Sequence, residues 1–225
     1  MYTYQKMMRR GLLMKNLILI VIILFGQNVF GSGIEDRKTL FQGATERLKD
    51  SGIEKKIPKQ GESFPNVTIK GVSVSDRLKQ GPLLLTVYRG GWCPYCMAQL
   101  KEIESRLQDF KNKKVQVLAI SPETDKEVSK TKKKNNLSIE LVSDLNYQVL
   151  RKLNLVFKVE DKVLTEYNKM GLDLSQSQGN NNGELPIPAT FLIDQKGIIV
   201  YSFADADYTK RAKLEDIFFQ IKELK

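Results

Sequence analysis

The feature that most restricts this chain is the join between an apolar run at residues 83–88, broken only by Thr86, and the segment Arg89-Gly90-Gly91-Trp92-Cys93-Pro94-Tyr95-Cys96. A short, nearly continuous apolar run bounded by glycines reads as a strand buried on both faces. After Pro94 the apolar residues Met97, Leu100, Ile103, Leu107 and Phe110 recur at helical spacing. Cys93 therefore stands where a buried strand turns into a helix, with Pro94 at the first helical position, where its missing N–H costs nothing. The first turn of a helix offers unpaired N–H groups and partial positive charge, so a thiolate at Cys93 is stabilised and its pKa falls. Cys96, one turn on, can reach Cys93 as a disulfide. Gly90 and Gly91 are expected to turn the backbone sharply and leave the first sulfur open, with Trp92 shielding one side. Arg89, at the strand end, is placed to add positive charge.

The rest of the composition narrows the chemistry. The 225 residues contain no histidine and two cysteines. Ser-His-Asp and Cys-His catalysis are excluded, as is a four-ligand Cys/His zinc site within one chain. Two cysteines three apart close too small a loop to act as a structural staple, which favours a redox role. The net charge of +10 is spread thinly, and four of the 36 basic residues lie within the first 33 positions. The densest run, Lys130-Thr131-Lys132-Lys133-Lys134, reads as the solvated face of a helix, so no nucleic-acid partner is expected.

Residues 1–31 read as a leader: Lys15, an apolar stretch at residues 17–25, then small residues around Gly31-Ser32. Val29 and Gly31 suit the positions before a cut at Ser32, and Met14 is an alternative start. The apolar stretch is shorter than the ~20 residues that span a bilayer. Export to the periplasm or exterior is expected, with no stable membrane span after cleavage; an uncleaved leader would instead be an anchor. Residues 32–57 are expected to form a helical lead-in, and residues 58–225 the main domain.

Along that domain a hairpin is expected at residues 67–74 and strands at 83–88, 115–120 and 139–142. Further strands are expected at 189–193 and 198–203, joined by the turn Asp194-Gln195-Lys196-Gly197. Helices are expected at 94–110, 122–134, 145–153 and 213–224. The early strands alternate with helices and should be parallel; the last pair should be antiparallel. The pattern is α/β, a central mixed sheet with helices on both faces. Residues 158–184, rich in Asn, Gln, Ser and Gly, are expected to be a mobile surface loop.

Trp92-Cys93-Pro94-Tyr95-Cys96 resembles the active-site pattern of the thioredoxin superfamily, and Ile187-Pro188-Ala189-Thr190-Phe191 resembles the strand start where that family carries a cis-proline facing the cysteines. The implied fold is thioredoxin-like, with Pro188 in that position. More narrowly, the chain is similar to the alkyl hydroperoxide reductase/thiol-specific antioxidant group, the peroxiredoxin-like proteins. That similarity is carried by Gly61-Glu62-Ser63-Phe64-Pro65, residues 88–96, residues 185–194 and Asp205-Ala206-Asp207-Tyr208-Thr209-Lys210-Arg211. It implies that Cys93 attacks a peroxide and becomes a sulfenic acid, that Cys96 resolves it to a disulfide, and that a thioredoxin-like donor restores the thiols. No cofactor or metal is implied. The family's threonine or serine three residues before the attacking cysteine is Gly90 here, which leaves Arg89 or Arg211 to orient the peroxide. The alternative implied by the dithiol core is an exported thiol–disulfide oxidoreductase acting on protein disulfides.

Overall fold

The computed structural model describes residues 36–224; the leader expected at residues 1–31 lies outside them. The chain separates into two compact units, Met1–Gly43 and Ala44–Lys225. Within the first, the described residues are helical and open helix α1 (residues 36–50). No helix among the described residues is long and apolar enough to cross a membrane.

The second unit is organised by β3 (Leu83–Val87), every residue of which is buried. Side chains alternate across a strand, and Leu83, Leu85 and Val87 enter one apolar cluster while Leu84 and the following Tyr88 enter another. Both faces of the sheet are therefore covered. β3 pairs in parallel with β4 (Gln116–Ser121), which pairs in parallel with β5 (Glu140–Ser143). On its other side β3 pairs antiparallel with β8 (Ala189–Ile193), which pairs antiparallel with β9 (Ile199–Ala204). The order β5-β4-β3-β8-β9 gives a five-stranded mixed sheet. Parallel neighbours need crossover connections, and helices supply them.

Helices α3 (Pro94–Ser105), α4 (Leu107–Asn112), α5 (Asp125–Lys134) and α9 (Leu214–Glu223) send Leu100, Ile103, Phe110, Val128 and Ile217 into one cluster. Helices α2 (Val74–Leu78) and α6 (Gln148–Lys152) send Val74, Leu78, Val149 and Leu150 into the other. The expected α/β architecture with helices on both faces is what the chain adopts. The hairpin β1 (Thr68–Ile69) and β2 (Val72–Ser73) also forms where expected, turning at Lys70-Gly71, both at positive φ.

Two expectations need correction. The helix expected at 94–110 is two helices, because Arg106 leaves helical geometry between them. Residues 158–184 are not a structureless loop. They hold α7 (Asp161–Lys169) and α8 (Leu174–Gln178), bracketed by a small antiparallel sheet of β6 (Val156–Lys158) and β7 (Glu184–Pro186). The physical reason lies in a few anchors. Val163 and Tyr167, four residues apart on one helical face, are buried, and the Asp173 side chain caps α8 by accepting the Ser175 N–H.

Candidate active site

Cys93 is itself the N-cap of α3. Its backbone is extended, its carbonyl accepts the Met97 N–H at 3.0 Å, and its sulfur accepts the Cys96 N–H at 3.4 Å. Pro94 follows, exposed, at the start of the helix. The two sulfurs lie 2.7 Å apart as free thiols.

The expectation of an open first sulfur is not met: Cys93 is 1% exposed and Cys96 0%. The two glycines are needed for close packing instead. A Cβ on Gly90 would collide with the Trp92 indole, and one on Gly91 with the Thr131 side chain of α5. Trp92 thus folds back over its own loop, and α5 packs against the same turn.

Arg89 is 4% exposed, not a surface residue. Its backbone N–H points at Cys96 Sγ at 3.5 Å. Its guanidinium donates to Tyr167 Oη at 2.7 Å and lies against the rings of Trp92 and Tyr208, 5.2 and 4.6 Å from their centroids. Trp92 also packs on Tyr167, and the exposed Tyr95 meets Tyr208 edge-on. Among the described residues the buried Nε of Arg89 and Nε1 of Trp92 have no hydrogen-bond partner. Arg211, from the chain after β9, places Nη2 3.8 Å from Cys93 Sγ and 3.3 Å from Cys96 Sγ.

These surroundings split the two thiols. A hydrogen bond from the Cys96 thiol, with the charges of Arg89 and Arg211 and the Cys96 N–H, outweighs burial and lowers the Cys93 pKa from 9.0 to about 6. Burial, then the hydrogen bond to Cys93 and its negative charge, holds Cys96 well above the usual thiol range. The two shifts run in opposite directions, favouring a thiolate on Cys93 and a thiol on Cys96.

Beneath the loop lies a second layer. Glu123, just past β4 and 2% exposed, accepts the Gly91 N–H at 2.9 Å. Burial pushes its carboxyl up. Thr86 and Thr190 share a hydrogen bond at 3.1 Å, and Gln99 of α3 donates to Thr190 at 3.2 Å, tying the helix to β3 and β8. Thr86 is thus committed to the core.

The sequence-expected residues Arg89, Trp92, Cys93, Cys96 and Arg211 converge. Pro188 stands at the start of β8, one residue beyond the Val87–Ala189 pairing, and so at the same end of the sheet. It is not cis, because no cis peptide bond occurs among the described residues. The Ile187 N–H donates to the Leu155 carbonyl at 2.8 Å. Sequence reading missed Glu123, Tyr167, Tyr208 and Gln99. Only Glu123 carried a local signal, as an acid directly after a buried strand that ends beside the thiols. Among the described residues no cluster of three or more Cys, Asp or Glu side chains is placed to hold a metal ion.

Comparison with known proteins places this arrangement. Residues 53–202 match the family described as AhpC/TSA. A curated relative, "Putative peroxiredoxin bcp" of Buchnera aphidicola subsp. Schizaphis graminum, is 33% identical over 92 residues, 41% of this chain; the chain spans 58% of that relative's length. Among solved structures, peroxidoxin BcpB of Mycobacterium tuberculosis superposes with a TM-score of 0.56 at 14% identity, covering 74% of this chain and 98% of the other. Reduced Prx3 of Vibrio vulnificus does so at 0.57 and 16%, covering 74% and 99%. Peroxiredoxin Q of Xanthomonas campestris does so at 0.52 and 16%, covering 74% and 96%. These likenesses carry the thioredoxin-like fold. With the family matched over more than half of its length, the chain belongs to the AhpC/TSA family, the peroxiredoxin-like branch of the thioredoxin superfamily.

Proposed function

We propose that the protein is a thiol-dependent peroxide reductase in which Cys93 attacks and Cys96 resolves. The observation that carries this reading is a Cys93 sulfur with its pKa lowered to about 6 yet only 1% exposed, between two arginines. Such a site suits a small oxidant as the partner of the Cys93 thiolate. The thiolate takes one peroxide oxygen and becomes a sulfenic acid, while the other oxygen leaves as alkoxide and is protonated to the alcohol. Cys96 then displaces hydroxide from the oxidised sulfur, which leaves as water, and forms the disulfide. The unpartnered donors of Arg89 and Trp92 are placed to hold peroxide oxygen in the position where the family's hydroxyl is replaced by Gly90. A thioredoxin-like donor closes the cycle by thiol–disulfide exchange.

Stopped-flow mixing of the reduced protein with hydrogen peroxide tests the reading, with Trp92, the one tryptophan, as the reporter. Oxidation far faster than that of a free thiol, abolished in Cys93→Ser, is expected. A rate no higher than that of a free thiol overturns it. Activity in an insulin-reduction assay without fast peroxide oxidation would instead assign the thiol–disulfide oxidoreductase role. In the same proposal residues 1–31 direct export with cleavage before Ser32. N-terminal sequencing of envelope or secreted protein should begin at Ser32, and cytoplasmic protein retaining Met1 or Met14 would overturn that part.

A further inference from the structure

Arg211 reaches the thiol pair from a segment remote in sequence and touches both sulfurs with one nitrogen, Nη2. Its Nε also donates to the carbonyl of Tyr95, between the two cysteines, at 3.4 Å. The guanidinium is thus fixed to the turn that carries the pair. Of its two sulfur contacts the shorter is to Cys96, 3.3 Å against 3.8 Å to Cys93.

The charge on the pair moves during the proposed cycle. In the reduced protein the negative charge is on Cys93, and the Cys96 thiol donates to it. Once Cys93 becomes a sulfenic acid, the charge that opposed ionisation of Cys96 is gone. The acceptor for its proton is gone with it. The other groups facing Cys96 are the Arg89 backbone N–H and guanidinium and the Tyr88 phenol, with Glu123 behind Tyr88. The Arg89 guanidinium also feels both sulfurs, but it is tied to Tyr167 Oη, whereas Arg211 Nη2 lies within 3.8 Å of each sulfur.

We propose that Arg211 is a catalytic residue of the resolving step, a shared cation that stabilises the thiolate on Cys96 after the charge has left Cys93. The proposal rests on the peroxide-reductase reading. In the first step the Cys93 thiolate forms an S–O bond, the O–O bond breaks, and the departing alkoxide takes the Cys96 proton, directly or through water. Sulfur is oxidised by two electrons and the peroxide reduced to an alcohol. In the second step the Cys96 thiolate forms the S–S bond, the S–O bond breaks, and hydroxide leaves to become water with a proton from solvent.

The first test needs no peroxide. Cys93→Ser leaves Cys96 as the sole thiol beside a neutral oxygen, imitating the loss of charge, and ultraviolet absorbance of the thiolate gives its titration. The Cys96 pKa in Cys93→Ser/Arg211→Gln should lie at least about one unit above that in Cys93→Ser, a tenfold change in ionisation. Cys93→Ser/Arg211→Lys should recover most of the difference, and circular dichroism identifies folded variants. Identical titrations of the folded Gln and parent variants overturn the inference and leave the peroxide reading intact. The second test is kinetic: in Arg211→Gln the disulfide-forming phase after peroxide should slow by about tenfold or more, and by more than the oxidation phase. Slowing confined to the oxidation phase overturns the inference. Failure of the wild type to oxidise quickly overturns the peroxide reading itself, whereas the titration still reports on Arg211.

Discussion

Cys93 owes its ionisation to a small set of neighbours that can be tested singly. Its alkylation by a small reagent should rise with pH through a midpoint near the lowered value of about 6, against 9.0 for an ordinary cysteine. Arg89→Met should move that midpoint upward by removing positive charge, and an unmoved midpoint would show that Arg89 does not act on Cys93. Gly91→Ala drives a methyl into Thr131 and should cost about 1–3 kcal/mol of stability, the range for overpacking. Adding Thr131→Ala should recover part of that loss, and strict additivity in urea unfolding would count against the contact. Cys93, Cys96, Trp92 and Arg89 were legible because they lie within eight consecutive positions of one strand–helix join. Glu123 and Tyr167 were not, because their contacts with this loop span 32 and 78 residues of sequence, and no local pattern encodes such a distance.

At the scale of elements, β3, β4 and β8 were legible as continuous apolar runs, and α3 as a period of apolar residues after Pro94. α7 and α8 were hidden by composition: only two residues of α7, Val163 and Tyr167, are buried, too few to rise above a polar background. β6 and β7 are three residues each and find their stability in pairing with one another. The cost of overlooking this segment was functional, since α7 supplies the hydroxyl that holds Arg89. Tyr167→Phe removes that hydrogen bond to a buried charge and should cost about 1.5–3 kcal/mol, with slower oxidation of Cys93 by peroxide. A variant of unchanged stability and rate would show that the α7 segment does not position Arg89. The fixed setting of α3 has a comparable origin in the Thr86–Thr190–Gln99 chain, which joins helix to sheet by hydroxyl and amide groups within a largely apolar core.

For the whole molecule, the thiolate links redox chemistry to folding. The Cys93 pKa is lowered on folding, so its contribution to stability is full above the unfolded value near 9 and is lost as pH falls through about 6. Reduced wild-type protein should therefore gain stability relative to Cys93→Ala between pH 6 and pH 9, measured by urea unfolding at each pH; a difference that does not change with pH would refute the linkage. The strand directions and the two-sided cover followed from strand–helix alternation, whereas the sheet order did not, because β3 pairs with β8 from the far end of the sequence. The placement of both cysteines at one helix end, Cys93 as the cap and Cys96 within the first turn of α3, has one more consequence. Their bond closes inside a single turn, so the two oxidation levels can share one scaffold. Deuterium uptake along α3 should then be indistinguishable in the dithiol and disulfide forms.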